Sequence, residues 1–315
     1  MSSLGVISGV VQPLLVIAGS PLLVGMMRQV RARMEGRAGA GITQPWRDLR
    51  KLLRKQSVSP RGTTEFFRIA PLVLVATTLV VAAIIPFVTT ASAVDPAADL
   101  FAVVALLALG TVALALAGLD TGTAFGGMGA SREMTIIALV EPTLLVSIFA
   151  LSVRVGSTNL AAIITSTLHD PLRVVSPVSL LAAVALAVVI IAETGRLPVD
   201  NPSTHLELTM VHEAMVLEYG GRDLALVELA SAMRLTVFLG LLANLFIPWG
   251  IATSASPLAV LAGIALFVIK VGLLGVLLAA GEVFMAKLRL FRVPELLAGS
   301  FLLALLAVAA SFFLA

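Results

Sequence analysis

Apolar residues gather in eight stretches centred near Val16, Leu79, Ala108, Val146, Ala185, Leu239, Phe267 and Leu305. Each is long enough for the roughly 20 residues that a bilayer core of about 30 Å demands of a helix. The pattern predicts an all-α polytopic membrane protein of about eight transmembrane helices. No polar linker separates two folding units, so residues 1–315 read as a single membrane domain. Polar positions concentrate in two segments, 28–68 and 194–228, each wedged between apolar stretches.

The first segment is basic. Residues 28–68 hold eleven of the chain's twenty-one Lys and Arg, against only Glu35, Asp48 and Glu65. The positive-inside rule makes it a cytoplasmic loop, and eight spans then leave both the N- and the C-terminus outside. Arg196, Arg222, Lys287, Arg289 and Arg292 fall on the same side, and only Arg154 and Arg173 fall opposite. Because basic residues follow the first apolar run rather than precede it, residues 1–27 read as an uncleaved first helix. Within the loop, Trp46 to Lys55 puts Trp46, Leu49, Leu52 and Leu53 on one helical face and cations on the other. Such an interfacial helix suits lipid headgroups or a cytoplasmic partner. Arg28, Arg31, Arg33, Arg37, Arg50, Lys51, Arg54 and Lys55, with Arg196 and Asp200 from the second segment, are the candidate docking residues.

The second segment is acidic, an interfacial or cytoplasmic loop with five glutamates, two aspartates and two of the three histidines between Glu193 and Glu228. Pro198, Asn201 and Pro202 break the fifth span. A helix then starts either at Asn201-Pro202 or at a Thr204/Glu207 capping box, and ends at Gly220-Gly221. On that helix Glu207 and Glu218 lie within about 20° of each other, as do His205 and His212, with Glu213 about 90° from the histidines. Glu207 therefore either caps the helix or lines a path. His205 and His212 stand about 10 Å apart along the axis, too far to share a zinc ion. His212-Glu213 lacks the second histidine of a zincin motif, since position 216 is Val216. The sequence gives no metal site and no bis-histidine haem pair.

Two charges lie deep inside spans: Glu141, beside Pro142, and Lys270. Each costs about 2.5 to 3.5 kcal/mol at mid-bilayer unless paired or hydrated, so each marks an ion or proton path or a buried ion pair. Glu133, Glu193, Glu228 and Glu282 sit at span ends, where snorkelling explains them cheaply. Gly122 to Glu133, GTAFGGMGASRE, lacks the Gly-Lys-Ser/Thr ending of a phosphate loop and reads as a turn. Composition agrees with a membrane-embedded chain: 59% hydrophobic, 12% charged, mean hydropathy +1.07. The pI near 9.8 comes from cations crowded beside one span, a distribution that points away from nucleic acid. No cysteine is present, so the chain holds neither thiolate metals nor its own iron–sulfur cluster.

FGGMGASREM at 125–134, followed by Glu141-Pro142, and ETGRLPVDNPSTHLELTMVHEAMVLEYGGRDLALVELASAMRL at 193–235 closely resemble formate hydrogenlyase subunit 4. That family belongs to the membrane arms of energy-converting group 4 nickel–iron hydrogenases and is homologous to the complex I subunit that floors the quinone chamber. The resemblance covers essentially the whole chain and implies a complex I subunit 1-like fold in a bacterial or archaeal cell membrane. It implies an anchor without catalysis of its own. Hydrogenase-like large and small subunits and iron–sulfur subunits would dock on the cytoplasmic loops, carrying the [NiFe] centre and clusters, with antiporter-like subunits beside it in the bilayer. The family's polar path falls here on Glu141, Glu193, Glu207, Glu213 and Glu218, to which Glu228 and Lys270 are added from the charge pattern. The acidic block matches the complex I branch only loosely. A quinone-binding complex I subunit and a stand-alone secondary transporter remain the alternatives. A transporter would normally show two similar halves, and the acidic block has no repeat in the first.

Overall fold

The computed structural model describes residues 3–90, 98–170, 174–200, 210–254 and 256–313. Among the described residues there are eleven α-helices: α1 (Ser3–Met34), α2 (Gln44–Leu53), α3 (Glu65–Ile84), α4 (Leu100–Asp120), α5 (Ala124–Val155), α6 (Leu160–His169), α7 (Pro177–Glu193), α8 (His212–Val216), α9 (Gly221–Phe246), α10 (Pro257–Phe284) and α11 (Val293–Phe313). Seven of them, α1, α3, α4, α5, α9, α10 and α11, are long and apolar enough to cross a membrane. The fifth expected span, α7, has 17 residues, at the short limit for a crossing. It packs against α5, α11 and α9, and leaves Leu180 and Val184 exposed on its other face.

Polar residues at the stretch ends set the boundaries. Thr64, Asp99, Thr123, Asn159, Ser176 and Ser256 each accept a hydrogen bond from a first-turn backbone N–H of the helix that follows. Pro177 and Pro257 follow two of these caps, where their missing N–H costs nothing. Gly156, at φ 68°, closes α5 in the left-handed conformation.

Over the described residues 210–220, the helix expected from residue 201 or 204 to Gly220 is not continuous. Residues 201–209, with the Thr204/Glu207 capping box and His205, lie outside the described residues, and α8 covers only His212–Val216. Gly220 is instead the cap residue that opens α9. Tertiary packing overrides the helical periodicity: Tyr219 turns inward, its ring stacked on Phe67 with centroids 4.1 Å apart and its hydroxyl donating to the Phe67 carbonyl at 2.8 Å. At Gly221 a Cβ would stand 2.4 Å from the Gln56 carbonyl oxygen, so only glycine lets the basic loop rest there.

Long-range contacts join the two polar segments at one end of the bundle. Arg31 and Arg196 pair with Glu282 at 3.5 and 3.1 Å, Lys287 pairs with Asp200 at 2.9 Å, and Ser57 accepts from the Asp223 N–H at 3.3 Å. α2 is tied to this end by the Trp46 indole, which donates to the Ala18 carbonyl at 3.2 Å, and by buried Leu49, while Leu53 is exposed.

Candidate functional site

Arg234 is the centre of the polar end. It lies in the middle of α9, is 6% exposed, and donates to the Leu107 carbonyl at 3.0 Å and to Thr111 Oγ1 at 2.7 Å, both on α4. Its third partner is the carboxylate of Glu193, the last residue of α7. Gly110 leaves the room, since a Cβ there would meet Thr77 Oγ1 at 2.8 Å and the guanidinium at 3.1 Å. One buried cation thus clamps α4, α7 and α9 through three oxygen acceptors, with the Phe238 ring 6.0 Å from its guanidinium carbon. A charge removed from water needs such a set of partners.

A cavity of about 290 Å³ opens from this clamp toward α1 and α2. Glu133, Glu193, Asp200, Glu213, Glu228 and Asp48 line it, against Arg28, Arg196 and Arg234, so acid outweighs base. Glu133, on α5, is 7% exposed and within electrostatic reach of Glu193, Arg234 and Asp200. Glu141 lies about 12 Å further along α5 and also feels Glu193 and Arg234. Its Oε1 is buried without a hydrogen-bond partner among the described residues. His212 lines the cavity too, with Nε2 3.4 Å from Ser231 Oγ and its backbone N–H directed at Asp200. Among the described residues no cluster of three His, Cys, Asp or Glu is arranged for a metal ion. The arrangement suits relay of protons between carboxylates, imidazole and water.

The loss of solvent around His212 pushes its imidazole below the usual histidine range, with Asp200 opposing the shift. The folded chain therefore holds His212 neutral where the unfolded chain would take a proton. Stability is full above the ordinary histidine pKa of about 6.5 and declines as pH falls through it. Melting of the detergent-solubilised chain should drop between pH 7 and pH 5, and His212→Gln should flatten that slope; an equal slope in the variant would assign it to other groups.

The sequence profile described as NADH dehydrogenase matches residues 7–313. The chain belongs to this family. Within it, the chain is 36% identical to hydrogenase-4 component C of Escherichia coli (strain K12) over 96% of its own length and 94% of that protein. It is 34% identical to formate hydrogenlyase subunit 4 of the same organism, over 96% and 98%. NADH-quinone oxidoreductase subunit 8 of Rhodothermus marinus is 28% identical over 71% of this chain and 68% of that protein. In fold, the chain resembles a subunit of the membrane-bound sulfane sulfur reductase, an archaeal respiratory membrane complex, with a TM-score of 0.82 at 20% identity over 96% and 98% of the two chains.

In this member of the NADH dehydrogenase family the cavity collects Glu193, Glu213 and Glu228 from the expected path, together with Arg28, Arg196 and Asp200 from the expected docking set. Glu141 lies deeper, within reach of the clamp. Glu218 is exposed outside α8, and Glu207 lies outside the described residues. Lys270 is not among these acids. Its Nζ donates to Asn244 Oδ1 at 3.1 Å and to the Ile247 carbonyl at 2.8 Å, where α9 ends at the opposite end of the bundle. Arg33 and Arg50 are exposed. Sequence reasoning missed Arg234 and read Glu133 and Glu282 as snorkelling ends. The signal for Arg234 was the one used for Glu141 and Lys270, a lone charge inside an apolar span.

Proposed function

We propose that this chain is the membrane anchor of a formate hydrogenlyase-like, [NiFe] hydrogenase-type complex, coupling electron transfer in a soluble redox arm to proton or sodium movement in the membrane. The observation that carries the reading is the acid-lined cavity around Arg234, which opens at the bundle end bearing the basic loop. Near-full-length similarity to hydrogenase-4 and formate hydrogenlyase subunits supports a complex component over a stand-alone transporter. Partner subunits would hold the [NiFe] centre and iron–sulfur clusters, and antiporter-like subunits would flank the exposed apolar faces of α10 and α11. Redox events in the arm would shift protons among Glu133, Glu193, Glu213, Glu228 and Glu141. The polar end would face the cytoplasm of a bacterial or archaeal cell.

Two tests follow from this arrangement. A cysteine replacing Val58, which is 74% exposed in a chain with no other cysteine, should escape an impermeant maleimide in intact cells and react in everted vesicles. The opposite labelling would invert the topology. Arg50, Lys51, Arg54 and Lys55 project from α2 and the residues after it, with the Lys51 side chain 71% exposed. Replacing all four by Gln should slow docking of the soluble arm by about tenfold or more and release it at moderate salt, because charge complementarity sets association rate and register. A complex of unchanged salt sensitivity would put docking elsewhere than on the basic loop.

A further inference from the structure

We propose that the polar end holds an anionic phospholipid, its headgroup in an arginine-lined pocket beside α1 and an acyl chain along the apolar wall between α1 and α2. A second cavity, of about 620 Å³, adjoins the acidic one and shares Val24, Arg28 and Arg196 with it. Four guanidiniums converge there from three parts of the chain: Arg28 and Arg31 of α1, Arg37 of the loop beyond it, and Arg196 of the turn after α7.

Among the described residues two carboxylates answer them. Glu282 pairs with Arg31 and Arg196, and Glu35 with Arg31 and Arg37, while Arg28 has no carboxylate partner among the described residues. Counted over the described residues, four guanidiniums against two carboxylates leave the pocket cationic at the end of a membrane span, where clustered arginines favour anionic headgroups. Its rim is built. Gln29 donates to the Ala38 carbonyl at 2.9 Å and accepts from the Gly41 N–H at 3.0 Å, folding residues 38–41 over the site.

The shared wall decides the class of ligand. Beyond Arg28 and Val24, the adjoining cavity is lined on the α1 and α2 side by Pro21, Pro45, Leu49 and Leu52, with Asp48 the one carboxylate among them and itself paired with Lys51 at 3.9 Å. A free phosphate would leave that surface wet, and a neutral-headed amphiphile would leave the arginines without an anion. A phosphate head with a hydrocarbon chain satisfies both.

The test uses the full chain, delipidated in a neutral detergent, titrated with short-chain phosphatidylglycerol, short-chain phosphatidylcholine or inorganic phosphate and read by calorimetry. Phosphatidylglycerol should bind at least tenfold more tightly than either of the others. Arg28→Gln with Arg37→Gln should weaken it at least tenfold while leaving the melting temperature in place, as expected for two exposed side chains. Arg50→Gln with Lys51→Gln, the same charge change outside the pocket, should leave binding intact. Equal binding of phosphatidylcholine, equal binding of inorganic phosphate, unchanged affinity in the pocket variant, or equal loss in the α2 variant would each overturn the proposal. The preference among the three ligands is read on the unmodified chain, so a misfolded variant would not protect the idea.

Discussion

Arg234→Met is expected to destabilise the chain by about 3 to 5 kcal/mol, the usual cost of removing one partner of a buried ion pair, and so to prevent its accumulation or assembly. The cause is what stays behind: Glu193 would keep its charge beside Thr111 with no cation, and the Leu107 carbonyl would lose its donor from α9. Glu193→Gln should be milder, because a glutamine carbonyl still accepts from the guanidinium and Thr111 and Leu107 remain in place. Arg234→Met combined with Glu193→Gln should recover part of the loss, since no isolated buried charge survives. Thermal melts of the four solubilised proteins would measure the coupling. Additive effects, or a fully stable single Arg234 variant, would mean that water in the cavity solvates the pair and that the clamp does not hold α4, α7 and α9 together.

The spans were legible because lipid imposes one demand on every exposed face, so seven helices follow directly from apolar length. α7 differs in that α5, α9 and α11 pack on it and leave only a face with Leu180 and Val184 exposed, so its 17 residues meet less of the bilayer than a helix at the rim does. The grouping of the two polar segments at one end was legible through charge and the parity of the crossings. The partner of each buried charge was not, because pairing depends on contacts far apart in sequence: Arg234 meets Glu193 across 41 positions and Arg31 meets Glu282 across 251. Local pattern also failed between residues 210 and 220. There the capping signals described a helix, but the burial of Tyr219 against Phe67 and the contact of Gly221 with Gln56 ended one element and began another. Lys270 shows the same limit from the other side. Its charge was correctly read as needing partners, yet they are an amide and a backbone carbonyl at the opposite end rather than a carboxylate.

Glu141→Gln is expected to leave the complex assembled, and its partners' hydrogen chemistry with artificial electron donors nearly unchanged, while proton translocation falls on the order of tenfold or more. Two readings of a glutamate inside a span predict opposite orders of failure. As half of a structural ion pair, its loss strands a cation and assembly goes first. As a station on a proton path, its loss removes an exchangeable proton, and a side chain of the same shape packs in its place. The geometry favours the second reading. Glu141 has no ion-pair partner among the described residues, and its Oε1 is buried without a hydrogen bond, a position that water or a transferred proton would satisfy. Pro142, inside α5, supplies no N–H, so the Ala138 carbonyl one turn back loses its helical donor and offers a second polar atom to such water. The charges Glu141 feels are those of Glu193 and Arg234, which ties it electrically to the clamp bordering the acidic cavity. Subunit retention, uncoupled hydrogen turnover and translocation should be measured on one preparation of the variant. Full translocation in an intact complex would remove Glu141 from the path, and loss of subunits before loss of coupling would return it to the role of a structural charge.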